Sequence, residues 1–498
     1  MAERLIEIEA AKTNLLDCAA YLAENIKNTE EHTAALKEIV PRYLNRGAVD
    51  RAAELANSAD DSFTRDRLLR RVAEKCGAIG DDEYAFQLIE AIEDFTAQEE
   101  ARGLIAVRKA ENGNYAKAFE IAETLTDGDY AYSEIAVWQA ESNGGDPLPT
   151  LEKIEFPPAK ITALQNVAQI KSEKNESVKA VELLDRATAL AAELEFAEEK
   201  ISTLLNIGYN FIEAGQNGKA IEVFDRAKAS AETLDTIQKD SFLSSIALGF
   251  LSAGSLELAD RTLDLVGDNV QISSTLVGFA REFWDRDEKS EALETIEEGY
   301  SILRSQRDHE VRDRRARFDL WAVIAVQYAV FEKPERAVEI AQEIFDGNAQ
   351  TSALSQIAQI CAASNNDDFA RQAVNTIGDD SLKMYALLGI SDVKNEAENT
   401  EAAVKFLTEA ETYAESVEQL SSRSAAYSEL ARRFYAFGNA EKAHELGIKN
   451  LDTIFNIRDE STRAVALAQM SDFYQAGDLE LTAPEREMIL RIIGKSNG

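Results

Sequence analysis

The sequence predicts an all-α protein built from a long array of stacked helical hairpins. A short turn pattern recurs along most of the 498-residue chain. Small and apolar residues on both sides of each turn fall on one helical face. Only 7 residues are proline, so long stretches of the chain are free to be helical.

The turn pattern is a small or polar residue followed five positions later by alanine. In "AGQNGKAIEVF", for example, Gly215 precedes Ala220. The predicted pairs are Gly47/Ala52, Gly80/Ala85, Gly113/Ala118, Asn175/Ala180, Gly215/Ala220, Gly254/Ala259, Asp287/Ala292, Glu332/Ala337, Asn365/Ala370, Glu398/Ala403 and Gly438/Ala443, with degenerate copies at Gly145/Thr150 and Gly477/Thr482. Successive turns lie 30 to 45 residues apart, a period typical of helical solenoids.

The residues that precede each turn also follow a pattern. Seven positions upstream lies a small residue such as Gly208 or Ala247, with an apolar residue directly before it. Four positions upstream an aromatic residue such as Phe211 or Phe250 is frequent. We predict that the small residue lets a neighbouring helix approach closely and that the aromatic ring fills the space between helices.

These spacings resemble the tetratricopeptide repeat (TPR) over roughly residues 30 to 480. The copy at 206–227 matches best, with Leu204, Ile207, Gly208, Phe211, Gly215, Ala220, Phe224 and Ala227 on the family pattern. The proline that usually closes each repeat is mostly replaced by Asp or Asn, which we predict to cap the next helix. The resemblance implies a right-handed α-α superhelix, or solenoid, of about thirteen TPR-like helical hairpins. A related helical-hairpin repeat is the alternative.

We predict four segments along the chain. They are an N-terminal TPR-like block at 1–143, a Pro/Gly-rich bend at 144–158, a C-terminal TPR-like block at 159–480, and a capping helix with a tail at 481–498. The bend contains four of the seven prolines. Either continuous stacking through the bend or two rigid blocks would fit this pattern.

Charge limits the classes of partner. The chain has 53 basic and 90 acidic residues, a net charge of −37. Such a field repels nucleic acids and anionic membranes, although the same acidity would also suit a high-salt cytoplasm. The start, "MAERLIEIEAAK", lacks the basic end and apolar centre of a signal peptide, so we predict a cytoplasmic protein.

The sequence offers little that suggests catalysis. The stretch Gly215–Lys219 is predicted to be a turn, because it lacks the spacing and the hydroxyl residue of a phosphate-binding loop. The cysteines and histidines are far apart in the chain, at Cys18, Cys76, Cys361, His32, His309 and His444. We therefore predict no catalytic residue, no metal site and no cofactor.

One basic cluster stands out against the acidic background. Residues 302–325 contain Arg304, Arg307, Arg312, Arg314, Arg315 and Arg317. This cluster could be an anion-binding or partner-docking patch, because Arg pairs bidentately with carboxylate and phosphate groups. It could equally be a solvated helix whose arginines pair with the acidic residues interleaved among them.

In the TPR family the first helix of each hairpin lines a concave groove that holds a peptide or a partner helix. Transferred to this sequence, the groove positions are Gln165, Asn166, Gln169, Asn206, Tyr209, Ile212, Arg281, Trp284, Gln359, Arg432 and Tyr435. Asn166 and Asn206 match the slot in which peptide-binding members hold an asparagine that clamps the peptide backbone. The family's two-carboxylate clamp, which also needs a lysine four residues before such an asparagine, is not found here.

The predicted function is therefore a non-enzymatic interaction scaffold or adaptor. It would bind a partner protein or peptide, or assemble with itself, through the concave groove. The alternative is a ligand-sensing or enzymatic protein with a site in that groove.

Overall fold

The computed structural model describes residues 4–306 and 313–496, and every regular element in these ranges is an α-helix. The predicted all-α class is confirmed. The N-terminal part contains α1 (Ile8–Ala11), α2 (Leu15–Ala23), α3 (Thr29–Asn45), α4 (Val49–Asn57), α5 (Ser62–Ile79), α6 (Asp82–Glu90), α7 (Phe95–Glu111), α8 (Tyr115–Ala122), α9 (Asp129–Ser142) and α10 (Leu148–Leu151).

Eighteen further helices follow in the described ranges. The central ones are α11 (Pro157–Glu173), α12 (Ser177–Ala192), α13 (Ala197–Glu213), α14 (Asn217–Glu232), α15 (Lys239–Ser252), α16 (Leu256–Leu263), α17 (Asn269–Asp285), α18 (Lys289–Ser305) and α19 (Arg314–Val330). The remaining ones are α20 (Pro334–Gln342), α21 (Gly347–Ala363), α22 (Asp367–Thr376), α23 (Asp380–Glu396), α24 (Thr400–Ala414), α25 (Leu420–Ala436), α26 (Ala440–Asn456), α27 (Glu460–Ala476) and α28 (Ala483–Ser496).

From α3 to α26, odd-numbered and even-numbered helices alternate as the two arms of hairpins. We call the odd-numbered ones A helices and the even-numbered ones B helices. Each of the eleven predicted turn residues joins an A helix to the following B helix with a positive φ between 58° and 92°. The predicted turns and the TPR-like hairpin array are thereby confirmed.

The same hydrogen bond closes these turns. In the Gly215 turn the backbone N–H of Gln216 donates to the carbonyl of Phe211 at 2.8 Å, and Ser255 donates to Phe250 in the same way after Gly254. This is the terminal bond of a Schellman motif, which needs a left-handed residue between donor and helix. Glycine adopts that conformation without steric cost, which explains its frequency in the turns.

The two degenerate copies differ in register. After α9 the helix ends at Asn143, which has a φ of 54°, so the turn lies two residues before the predicted Gly145. After α27, Gly477 keeps a helical backbone and Asp478 takes the positive φ of 47°. The sequence pattern misplaces these two turns because the left-handed residues are Asn143 and Asp478. Each lies beside a glycine, which is the more usual residue at such a position.

Between the 33-residue and the 39- or 40-residue repeats, the difference in length lies in the B helix. Where successive turns lie 33 residues apart, as from Gly47 to Gly80, the B helix has 8 to 10 residues. Where they lie 39 or 40 residues apart, it has 15 to 17 residues. The extra residues add two turns to the B helix, whereas most A helices keep 17 residues.

The seam between hairpins depends on small residues. All eleven alanines that follow the turns by five positions are fully buried. Gly208 in α13 faces Phe224 of α14 so closely that a Cβ atom at Gly208 would lie 2.2 Å from the ring. Phe224 also touches Gly249 of α15 and packs edge-on against Phe250. One ring thus joins three consecutive helices, which only glycine at 208 and 249 permits.

Most of the predicted aspartate caps are present. Asp268 accepts from the N–H groups of Val270 and Gln271, Asp346 from Ala349 and Asp379 from Leu382. Asp129 in "LTDGDY" acts differently, because its carboxylate accepts from the N–H groups of Glu155 and Phe156 in the next hairpin.

The chain divides into two compact units, one made of Met1–Ala101 with Thr351–Gly498 and the other of Arg102–Gln350. The predicted bend at 144–158 lies within the second unit, and the predicted block boundaries stay predictions. In the first unit the two ends of the chain meet. There α2 packs along α27 as the second arm of its hairpin, and α3 packs beside α27 as a neighbouring A helix does elsewhere.

Candidate partner-binding surface

The exposed face of α11 and α13, in the second unit, contains the densest group of predicted groove residues. Asn166 and Gln169 of α11 and Asn206 of α13 are exposed to solvent. Tyr209 and Ile212 of α13 are partly buried beside them. Since α11 and α13 pack against each other, these five residues lie on neighbouring A helices, and that they form one binding surface stays a prediction.

Asn166 and Asn206 occupy the same position on their helices, two residues before the small residue of the seam. Within the described ranges, neither side chain makes a hydrogen bond to the protein. Gln169 makes one weak bond, from its amide nitrogen to Glu173 at 3.3 Å. The surface therefore presents amide groups whose donors and acceptors are open to a ligand.

Gln165 lies one turn before Gln169 but is buried, with 8% of its surface exposed. Its amide nitrogen has no hydrogen-bond partner. A buried amide without a partner is costly, and such groups are rare in native structures. Gln165 thus packs between helices rather than lining the open surface, which corrects its predicted role.

Tyr209 has an apolar environment on one side. Its ring packs edge-on against Phe224, with the centroids 5.5 Å apart. Burial, helped by the negative charge of Glu282, raises the pKa of Tyr209 to about 12, so the hydroxyl stays protonated at neutral pH. The partly buried side chain thus carries a neutral hydroxyl group.

Arg281 and Trp284, farther along the second unit, serve packing between repeats. The Nε atom of Arg281 donates to Gln327 of α19 at 2.6 Å. Trp284 stacks on Phe331 with centroids 4.4 Å apart, and the Lys289 ammonium also lies over the Trp284 ring. These two groove positions are occupied by contacts within the chain, unlike Asn166 and Asn206.

The remaining groove positions, Gln359, Arg432 and Tyr435, belong to the first unit. The Gln359 amide lies against Gly389, and Arg432 pairs with Glu429 at 3.2 Å. The Tyr435 hydroxyl donates to the carbonyl of Gly477 at 2.7 Å. That these residues share one groove with Asn166 and Asn206 stays a prediction.

Sequence reasoning missed Glu134 on α9. It occupies the same position as Asn166 and Asn206, two residues before Ala136, but the displaced turn at Gly145 hid this register. The carboxylate is half-buried with no described basic partner, and burial raises its pKa. With Asn143 as the turn residue, Glu134 lies in the same register as Asn166 and Asn206.

The predicted arginine patch is not one uniform surface. Arg304 lies over the Tyr300 ring and 3.4 Å from Glu343, and Arg317 is buried, donating to the carbonyl of Gln306. Arg314 and Arg315 are exposed, with Arg315 at 3.9 Å from Asp319. Arg307 and Arg312 lie outside the described residues. Among the four described arginines of the patch, Arg314 and Arg315 are the ones that are exposed and have no close acidic partner.

A cleft of about 460 Å³ lies beside α10 in the second unit. It is lined by residues of α10, which has 4 residues and is the shortest B helix described, and by residues of α12. Pro147, Leu148 and Leu183 form its apolar part. Its lysines, Lys171 and Lys179, both pair with Glu176, so its charges are largely balanced within the protein.

The cysteines show no sign of chemistry. Cys18, Cys76 and Cys361 are buried. Burial, followed by nearby carboxylates, raises the pKa of Cys18 to about 12 and that of Cys76 to about 11, which keeps both as unreactive thiols. Over the described ranges, no group of His, Cys, Asp and Glu has the arrangement of a metal site. Within the same ranges, no helix combines the length and apolar character that crossing a membrane requires.

Comparisons with known proteins add little beyond the fold. No protein-family model and no curated protein matches the chain. Among solved structures it is similar to the apo form of RapI, at 13% identity over 69% of this chain and 96% of RapI, with a TM-score of 0.29. It is also similar to PH0952 of Pyrococcus horikoshii, a signal transduction ATPase with a tetratricopeptide repeat sensor, at 11% identity over 97% and 87% of the two chains, with a TM-score of 0.25.

A third similar structure is a putative kinesin light chain from Podosopora anserina with TPR-like repeats, at 16% identity over 50% of this chain and 97% of that one, with a TM-score of 0.24. Because these TM-scores are low, the assignment rests on the geometry of the chain itself. Its left-handed turns, buried alanines and alternating arms define a TPR-like helical repeat protein.

Proposed function

We propose that this chain is a non-enzymatic scaffold that binds an extended segment of a partner protein along the exposed face of α11 and α13. The observation that carries the proposal is the pair Asn166 and Asn206. Both amides are exposed, occupy the same position on adjacent A helices and lack hydrogen bonds within the described protein.

The spacing of adjacent A helices suits an extended peptide. Packed helices lie about 8–10 Å apart, and an extended chain advances about 3.3 Å per residue. Two amides on adjacent helices therefore meet peptide groups about three residues apart. An asparagine side chain has an amide N–H donor and a carbonyl acceptor. It can therefore pair with the C=O and N–H groups of a peptide backbone, whatever the peptide sequence. Tyr209 and Ile212, on the same helix as Asn206, add partly exposed apolar surface.

The test is affinity capture from the source cells, followed by quantitative mass spectrometry. The bait is the full chain as wild type and as Asn166→Ala/Asn206→Ala. The matched control is Asn217→Ala/Asn348→Ala, which removes two exposed asparagines elsewhere in the second unit. We expect one near-stoichiometric partner with wild type and control, and its loss with the groove variant.

Equal capture of that partner by all three baits would contradict the proposal. Self-assembly is the second form of scaffold, and sedimentation of the purified chain detects it. If wild type assembles with itself and the groove variant does not, a second copy is the partner.

The alternative function, ligand sensing, has one observation in its favour, the cleft beside α10. A metabolite bound there would contact Leu183 and the Glu176 network. Thermal unfolding of the purified chain against a metabolite panel tests this alternative, because a ligand that binds only the folded state raises the melting temperature. A shift of several degrees that Leu183→Trp abolishes would favour sensing over scaffolding.

A further inference from the structure

Large apolar side chains are exposed at one recurring place, the start of the A helices. All five phenylalanines among the exposed large hydrophobic residues lie within two residues of an A-helix start: Phe63, Phe95, Phe156, Phe196 and Phe345. Ile237, before α15, lies at the same place. Scattered exposed apolar residues need no explanation, but repetition at one structural position does.

Three of these residues lie just before the starts of consecutive A helices in the second unit. Phe156, Phe196 and Ile237 precede α11, α13 and α15, and are 60%, 69% and 83% exposed. Because α13 packs against both α11 and α15, the three side chains form a row. We call this row the apolar edge. Because the axes of packed helices lie about 8–10 Å apart, we expect its members to be spaced by about that distance.

Hydrogen bonds hold the backbone of the edge at Phe156, and the junction before α17 is held in the same way. The Asp129 carboxylate accepts from the N–H groups of Glu155 and Phe156 at 2.9 and 2.7 Å. On the following helices, Asp240 accepts from Gly267 and Asp268 at 3.2 and 2.8 Å in the same manner. The exposure of Phe156 is thus a property of an anchored segment.

The apolar edge is more acidic than the chain as a whole. The three junctions at 152–160, 193–200 and 232–240 hold nine carboxylates and four lysines, against 90 acidic and 53 basic residues in the whole chain. Two of the lysines, Lys153 and Lys160, already pair with Glu123 and Glu152 at 2.8 Å. Around Phe196, Glu193, Glu195, Glu198 and Glu199 make no ion pair within the described ranges.

We propose that the apolar edge docks a basic amphipathic helix of a partner protein. Residues seven apart on a helix are separated by about 10.5 Å, which matches the spacing of the row. The rings would bury against the apolar face of that helix, and its Lys or Arg residues would pair with the surrounding carboxylates. A second copy of this chain fits poorly, because two acidic edges repel each other.

The probe is a synthetic leucine–lysine peptide of about three heptads with leucine on one face. Its binding to the full chain is measured by fluorescence anisotropy, beside an oligolysine peptide of equal charge. We expect Phe156→Ser/Phe196→Ser/Ile237→Ser to weaken leucine–lysine binding by about tenfold or more. Oligolysine, which senses only charge, should bind wild type and variant equally.

The matched control is Val178→Ser/Leu256→Ser/Val330→Ser, which removes three exposed apolar residues elsewhere in the second unit. It should bind the peptide as wild type does. Unchanged binding by the edge variant, or an equal loss in the control, would overturn the proposal. So would a wild-type dimer that the edge variant dissolves, because the occupant would then be a second copy. If the edge variant fails to fold, Glu195→Lys/Glu199→Lys replaces it, with the same loss expected and unchanged binding overturning the proposal.

Discussion

Two seams of this molecule are built on different principles. In the second unit, α13, α14 and α15 are joined by the Phe224 ring, which fits against Gly208 and Gly249. In the first unit, α2 and α3 from the start of the chain pack against α27 near its end. The first seam joins sequence neighbours through apolar contact, and the second joins segments more than 400 residues apart.

The terminal seam combines an apolar helix with polar contacts at its edge. Every residue of α2 except Asp17 is buried. Across the seam, Arg42 pairs with Asp472 at 2.8 Å, and Arg46 donates to Ser471 and Gln475 at 2.8 and 2.7 Å. The Ser461 hydroxyl donates to the carbonyl of Glu31. The α13–α15 seam thus depends on small residues for close approach, whereas the seam at the chain ends also carries directional bonds.

Removing residues 1–26 should have the largest effect. The deletion exposes the faces of α27 and α3 that pack against α2. It also removes Leu15, Leu16 and Leu22, which are buried, and each such side chain contributes about 1.5–3 kcal/mol to stability. We expect amide hydrogen exchange in α27 and α3 to lose most of its protection, while α13 to α15 keep theirs. Unchanged protection in α27 would contradict the packing of α2 as its hairpin partner.

The Gly208→Leu substitution should break the local seam. Since a Cβ atom alone would meet the Phe224 ring at 2.2 Å, leucine should cost about 1–3 kcal/mol of stability. Exchange protection should fall in α13 and α14 and stay unchanged in α27. Ala229→Leu, at an exposed position of α14, is the control and should change little. If both variants unfold at the same denaturant concentration, the seam is wrongly assigned.

These two seams also show what the sequence can predict. The Gly208 seam follows from residues within one repeat, so its turn, its small residues and its buried alanine were all predicted. The α2–α27 pairing was not, because α2 carries no turn pattern and its partner lies at the other end of the chain. No local spacing encodes a contact of that length.

The repeat pattern also did not predict which core positions hold charged residues. Lys171 and Lys394 occupy the slot that aromatic residues fill in other repeats. Both are buried, and their amines reach Glu176 at 3.2 Å and Asp367 at 2.6 Å. A lysine at such a position is acceptable only where a carboxylate is within reach, which depends on three-dimensional packing. For the partner surface, the sequence gives the helix positions of Asn166 and Asn206. It does not show which groove side chains are bound by neighbouring residues of the chain.

A smaller effect is expected at Glu134. Burial raises the pKa of this carboxyl group in the folded state above its unfolded value, so its contribution to stability is lost as pH rises through the folded pKa. Glu134→Gln should therefore raise the melting temperature by up to a few degrees at pH 8 and leave it unchanged near pH 4. A difference that is larger at pH 4 would contradict the assignment of Glu134 as a half-buried carboxylate without a described basic partner.

The smallest effect on stability should come from Arg314→Glu/Arg315→Glu. Both residues are exposed, and an exposed pair such as Arg315 with Asp319 contributes about 0–1 kcal/mol. We expect an almost unchanged melting temperature, measured by calorimetry. Loss of partner capture at unchanged stability would identify a docking patch, whereas a large fall in stability would show that these arginines hold neighbouring repeats together.

The central functional claim is that a partner lies on the exposed face of α11 and α13. Site-specific photocrosslinking tests it most directly, with benzoylphenylalanine placed at Gln169 on that face or at Ala229 on α14, both of which are exposed. In source-cell extract, irradiation should give a partner adduct from position 169 and none from position 229. A partner that is captured by both proteins but forms its adduct only from position 229, or from neither position, would contradict the claim.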